Sequence, residues 1–197
     1  MVRTHPAIIL AAGASQRLGQ PKSLVGIGDT TLVGMAYRKL EKAGCSQIVI
    51  VTRSELVFDI MQETIGSTVL SNPSPENGRT GSLQCALLSL AGDRGRIPKG
   101  VIVAPVDRPG WSIDHVKSLL ASTASAALTN KEGKGHPVFM DSVAIESVLT
   151  AKADASLREI VHFSEHMVDA PLLGLNIDTP ADLQTLSQHE QELLKDL

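Results

Sequence analysis

The residues best equipped for chemistry lie in one stretch, Leu10-Ala11-Ala12-Gly13-Ala14-Ser15-Gln16-Arg17-Leu18-Gly19-Gln20-Pro21-Lys22. An apolar run ends at Leu10, and small residues follow it as far as Ser15. Small residues let successive backbone N–H groups approach an anion closely, as in phosphate-binding nests. Arg17 and Lys22 add two cations, one a planar fork and the other a mobile point charge. A bound triphosphate needs these features together: close backbone donors, and positive charge delivered in two geometries. The stretch lacks the Gly-Lys-Ser/Thr ending of a Walker loop and the Gly-x-Gly-x-x-Gly dinucleotide fingerprint. Gly26-Ile27-Gly28, followed by Asp29-Thr30-Thr31, reads as a turn. The plainer alternative for the whole stretch is a polar surface loop.

Elements of two kinds must position these residues. Short apolar runs occur at Ala7 to Leu10, Gln47 to Thr52, Ser67 to Leu70, Gly100 to Pro105, Ser125 to Thr129 and Pro137 to Met140. The first, second and fourth are almost continuously apolar, as expected of strands buried on both faces. Between them, Thr31 to Ala43 sets Leu32, Met35, Ala36 and Leu40 on one helical stripe and closes at Gly44. Ser82 to Leu90 repeats the spacing, Ser112 caps a helix start, and Thr179-Pro180 opens the last helix with Pro at its first position. His189 to Leu197 keeps a helical charge pattern and is expected to extend that helix into solvent. Alternation of this kind predicts an α/β fold: a mostly parallel sheet covered by helices, within one domain. Ligands of such sheets bind at the carboxyl ends of strands, where the Leu10–Lys22 loop must lie.

Composition excludes several classes. The 197 residues carry 18 Lys and Arg against 21 Asp and Glu, a net charge of −3, which gives no electrostatic footprint for nucleic acid or an anionic membrane. Hydrophobic residues at 43% and charged residues at 20% match ordinary globular usage and argue against general disorder. One Trp, one Tyr and three Phe are too few for aromatic stacking platforms. Cys45 and Cys85 have no metal-ligand spacing and read as reduced core thiols of a cytoplasmic protein. The apolar run near Met1 is too short for a signal peptide, and no stretch reaches the length of a membrane span.

The opening loop, in the form Leu-Ala-Ala-Gly-x-Ser-x-Arg-Leu-Gly-x-Pro-Lys, resembles the signature of the nucleotidyltransferases of molybdenum-cofactor maturation, most of all their molybdopterin cytidylyltransferase branch. The resemblance continues in order along nearly the whole chain. It takes in Asn72-Pro73 with Gly78 and Gly81-Ser82-Leu83, then Val103-Ala104-Pro105-Val106-Asp107-Arg108-Pro109. Gly135-His136-Pro137-Val138, Asp154-Ala155-Ser156-Leu157-Arg158 and Asn176-Ile177-Asp178-Thr179-Pro180 follow.

The resemblance implies a Rossmann-like sheet with helices on both faces, of glycosyltransferase-A-like architecture, forming a single domain over residues 1–197. It also implies transfer of CMP from CTP to a phosphorylated acceptor such as molybdopterin, with Mg²⁺ assisting release of pyrophosphate. Leu10, Ala11, Ala12, Gly13, Ser15, Arg17, Lys22, Asn72, Gly81 and Ser82 then face the nucleotide, with Arg17, Lys22 and Asp107 catalytic. Asp107 and Asp178 hold the metal, and His136 and Arg158 meet the acceptor. A molybdoenzyme or its chaperone is the implied protein partner.

The residues themselves leave alternatives. Asp107 follows an apolar strand and precedes Pro109, so its carboxylate should project from the strand end, whereas Asp178 could simply cap a helix. Ser82 could bond base or ribose, or serve a turn. His136 could orient an acceptor or pack a loop, and Trp111 could stack on an acceptor ring or cover a loop. Arg108, Ser156, Asn176, Glu76 and Arg79 depart from the family pattern and leave the acceptor open. Rival functions are a sugar-phosphate or other small phosphate-acceptor nucleotidyltransferase, a non-catalytic nucleotide-sensing module, and a dinucleotide-dependent oxidoreductase.

Overall fold

The computed structural model describes residues 4–92 and 95–197. The first three residues of the stretch weighed above as a signal peptide lie outside it. The strands are β1 (Ala7–Leu10), β2 (Gly26–Ile27), β3 (Thr30–Thr31), β4 (Ile48–Thr52), β5 (Thr68–Ser71), β6 (Gly100–Pro105), β7 (Ala126–Asn130), β8 (Gly133–Asp141) and β9 (Ser164–Met167). The helices are α1 (Leu32–Lys42), α2 (Val57–Glu63), α3 (Gly78–Ala91), α4 (Ile113–Leu120), α5 (Ser142–Thr150), α6 (Leu157–Ile160), α7 (Pro180–Gln188) and α8 (Glu190–Leu194).

Seven strands form one sheet in the order β5-β4-β1-β6-β8-β7-β9, and β2 and β3 make a small hairpin apart from it. β5, β4, β1 and β6 pair in parallel, β8 runs antiparallel between β6 and β7, and β9 is parallel to β7. All residues of β1, β4 and β6 are buried, as their unbroken apolar character predicts. Their side chains divide by the period of two. Ala7, Ile9, Ile50 and Ile102 enter a core with α1, α2, α4 and α7. Ile8, Leu10, Val51 and Val103 enter a second core with α3 and α5. The sheet is therefore covered on both faces.

The helix starts follow their local chemistry. Gly34 N–H donates to Thr31 Oγ1 at 3.2 Å to open α1, and Gly44 closes it at φ +94°. Ser112 caps α4 by accepting from His115 N–H at 3.3 Å. α3 starts a full turn before the expected Ser82, because the poor helix formers Gly78 and Gly81 hide a turn that Ser82 Oγ steadies by donating to the Gly78 carbonyl at 3.1 Å. β8 reaches back to Gly133 through polar residues that carry no apolar signal.

The expectation of a solvated tail fails. α7 stops at Gln188, His189 breaks the helix at φ −104° and ψ 8°, and α8 turns back. Leu193 is buried, and Leu194 and Leu197 pack against the core beside α1. Glu190 Oε2 accepts from Gly28 N–H at 3.1 Å, and Lys42 Nζ donates to the Leu197 carbonyl at 2.8 Å. Three leucines in so short a segment have more to gain from burial than from exposure. No helix among the described residues is long and apolar enough to cross a membrane.

Trp111 is buried in the first core, and Lys39 Nζ donates to its carbonyl at 2.7 Å. Lys39 is itself buried, which pushes its ammonium down to about 8, against 10.5 for a free lysine. Between those pH values the unfolded chain binds more protons than the folded one, so stability rises with pH. Wild type is expected to gain about 2–3 kcal/mol relative to Lys39→Met from pH 8 to 10.5, measured by urea unfolding. A constant difference across that range would overturn the assignment.

Candidate active site

The order of the parallel strands reverses between β1 and β6: the chain moves outward from β1 through β4 to β5, then returns to β6. Loops leaving two such strands diverge and open a crevice at their carboxyl ends. Val106 N–H donates to the Leu10 carbonyl at 3.1 Å, fixing the end of β6 beside the loop that leaves β1.

That loop folds around Ser15, which adopts φ +53°, a left-handed conformation that costs a non-glycine residue about 1 kcal/mol. The Ser15 carbonyl accepts from Leu18 and Gly19 N–H, each at 3.1 Å, and its Oγ accepts from Lys22 N–H at 3.2 Å. The loop thus closes on itself and delivers Lys22 back to the crevice.

Asp178 arrives from far along the chain. Ile177 N–H donates to the Asp107 carbonyl at 2.9 Å, setting the two aspartates side by side. Asp178 is not the helix cap that its position allowed. Thr179 is the N-cap, and Asp182 completes the capping box, its Oδ2 accepting from Asp178 N–H at 3.0 Å and Thr179 N–H at 2.7 Å. The Asp178 carboxylate is free to face cations. Lys22 Nζ lies 2.6 Å from Asp178 Oδ1 and 3.4 Å from Asp107 Oδ2, while the Arg17 guanidinium pairs with Asp178 Oδ2. The hydrogen bond from Lys22, with the charges of Lys22 and Arg17, holds the Asp178 carboxyl below its usual range.

A cavity of about 170 Å³ opens beside this cluster. Leu10, Ala11, Ala12, Gly13, Ser15, Lys22, Ser82 and Asp107 line it, so three separate sequence segments meet there. Asn72 and Gly81 do not line it. Asn72 is buried behind the wall, where its Nδ2 donates to Ser82 Oγ at 3.0 Å. Gly81 faces away, since a Cβ there would sit 3.1 Å from Asn77 Cβ and 3.5 Å from the Ala153 carbonyl. Arg17, with a side chain 74% exposed, and Asp178 do not line the cavity either, and meet it only through the pairing of Asp178 with Lys22.

Pro75, Gly78, Arg79, Pro105 and Val106 complete the wall. Arg79 carried only a weak signal, a charge that the surrounding pattern did not call for. His136 lies with Arg158 around a neighbouring cavity. Burial pushes its imidazole down to about 4, helped by Arg79, Arg108 and Arg158 and opposed by Asp107, so the ring is neutral near pH 7.

A loop of small residues at the switch point of a mostly parallel sheet suits polyphosphates, and the architecture is that of the nucleotidyltransferases. The family model for the MobA-like NTP transferase domain matches residues 7–170. The chain belongs to that family. Among solved structures it is similar to Rv0371c from Mycobacterium tuberculosis H37Rv, with 24% identity and a TM-score of 0.76 over 94% of this chain and 99% of that one. Rv0371c in complex with manganese superposes with 20% identity and a TM-score of 0.73, over 94% and 98%. A nucleotidyl transferase from Methanothermobacter thermautotroptrophicus, Mth528, gives 17% identity and a TM-score of 0.74, over 96% and 98%. No curated protein matches the sequence.

Proposed function

We propose that this nucleotidyltransferase moves CMP from CTP to a phosphorylated acceptor such as molybdopterin, with residues 1–197 acting as one catalytic unit in the cytoplasm. The observation that carries this reading is the convergence of Asp107 and Asp178 on one ammonium beside the Leu10–Lys22 loop.

In the transfer, an acceptor phosphate oxygen bonds to the α-phosphorus while the α–β bridging oxygen leaves with pyrophosphate. Both reactants are anions, so neutralising and positioning charge supplies most of the acceleration. The Ala11–Ser15 backbone and Lys22 take the triphosphate. Arg17 swings from Asp178 to the growing charge on the leaving pyrophosphate, for which its exposure leaves room. His136 and Arg158 orient the acceptor. A molybdoenzyme or its chaperone fits as the partner that collects the product.

The aspartate pair suits Mg²⁺. Among the described residues no three His, Cys, Asp or Glu side chains gather to hold a metal unaided. Mg²⁺ is bound through one or two carboxylates, with phosphates and waters completing its shell. That a single ammonium already reaches both carboxylates supports Asp107 and Asp178 as its holders. A bound Mg²⁺ would supply positive charge that offsets the charge of the triphosphate.

Ala12 favours CTP. It lines the cavity, and its Cβ narrows the space where a larger purine would lie. Pyrophosphate release assayed with each of the four NTPs, against molybdopterin and common sugar phosphates, tests the reading. CTP is expected to be preferred. Ala12→Gly is expected to narrow the CTP-to-GTP ratio of kcat/KM by about tenfold. An unchanged ratio would separate Ala12 from base choice, and no release with any NTP would overturn the transfer itself.

A further inference from the structure

The second cavity, of about 350 Å³, opens next to the first, within the size range of small-molecule sites. Its wall divides by chemistry. Arg79, Lys134 and Arg158 are cationic, whereas Leu157, Val161 and Phe163 are apolar.

Arg79 alone lines both cavities. It sits in the first turn of α3, and the neighbouring Thr80 Oγ1 donates to the Ala155 carbonyl at 2.6 Å. That bond ties the helix start to the segment carrying Arg158. Among the described residues neither Arg79 nor Arg158 makes an ion pair, while Arg17 and Lys22 are both engaged by Asp178. Arg108 adds a third guanidinium within electrostatic reach of His136, opposed by Asp107, and among the described residues no carboxylate lines the second cavity. Positive charge therefore exceeds negative charge around the second cavity, and two arginines are free to take an anion. A guanidinium carries five donors in a rigid fork, enough to contact two anions at once.

We propose that Arg79, which lines both cavities, binds the phosphates of both reactants, the nucleotide in the first and the anionic acceptor beside Arg158 in the second, and brings them into line. The assignment rests on the nucleotidyl-transfer reading above. Shared between two mutually repelling anions, Arg79 neutralises both at the point where one must approach the other. Arg158 and Lys134 grip the acceptor phosphate from the far side, and the apolar wall covers its body.

Calorimetry on the full chain separates the parts, with phenyl phosphate as probe of the second cavity and Mg²⁺ with α,β-methylene-CTP as probe of the first. Phenyl phosphate is expected to bind about tenfold more tightly than inorganic phosphate, through its ring. Arg158→Ala is expected to weaken phenyl phosphate by about tenfold or more while leaving the CTP analogue within about twofold. Arg79→Ala is expected to weaken both ligands by about tenfold. Both side chains are exposed, so the variants should melt with wild type. The inference is overturned if Arg79→Ala affects one ligand or neither, or if Arg158→Ala leaves phenyl phosphate binding unchanged. If wild type binds the CTP analogue but not phenyl phosphate, this inference falls and nucleotidyl transfer stands. If the analogue does not bind wild type, both fall.

Discussion

Asp107→Asn is expected to lower turnover by about a thousandfold at saturating CTP, acceptor and Mg²⁺. The melting temperature should stay within a few degrees of wild type. The contrast follows from what the side chain touches. Asp107 contributes its backbone carbonyl to Ile177 N–H, which the substitution keeps, and its carboxylate to a 3.4 Å pairing with Lys22. Asparagine has the same shape and packs alike, but it brings no negative charge to the place where the proposed mechanism puts a divalent cation beside the triphosphate. Pyrophosphate release and thermal melting read the two halves separately. Wild-type rates at saturating Mg²⁺ would remove Asp107 from the mechanism.

Lys22→Met should act on the same reaction from the opposite charge, with kcat/KM for CTP falling by about a hundredfold. Methionine retains most of the apolar stem, so the loss is that of one ammonium. Removing it leaves Asp107 without its one ion-pair partner among the described residues, while Asp178 keeps Arg17. Nucleotide binding should weaken together with turnover, because the charge on the triphosphate exists before the transition state and grows within it. Initial rates across CTP concentrations, with direct binding of α,β-methylene-CTP, measure both effects. Unchanged constants would return Lys22 to the role of a structural bridge between the two aspartates.

Two of the departures from expectation share a cause. The apolar spacing of Leu83, Ala86, Leu87 and Leu90 marks a helix only from Ser82, yet α3 starts at Gly78, where Thr80 is tied to a distant loop. The tail was expected in solvent because its charge pattern suits an exposed helix, yet Leu193 finds an apolar floor beside α1. The family resemblance sets Asn72 among the nucleotide-facing residues, whereas in the structure its amide supports Ser82 from behind. For the tail and for the tie at the start of α3, the partner lies far along the chain, beyond the reach of any local window.

The sequence by itself determined the central strands β1, β4 and β6 and their faces, but not the polar edge strand β9 or the small β2–β3 hairpin. Unbroken apolar runs can only be buried on both sides, and their alternate residues enter the two cores. It also determined the loop chemistry, since small residues followed by Arg17 and Lys22 are useful to an anion wherever the strand ends. The tertiary structure alone decided that Asp178 stands beside Asp107 with its carboxylate on Lys22 and Arg17, and that Arg79 reaches two cavities. Burial is written locally, in the period of the side chains. The meeting of loops depends on strand order and on single backbone bonds such as Ile177 N–H to the Asp107 carbonyl, which no residue pattern spells out.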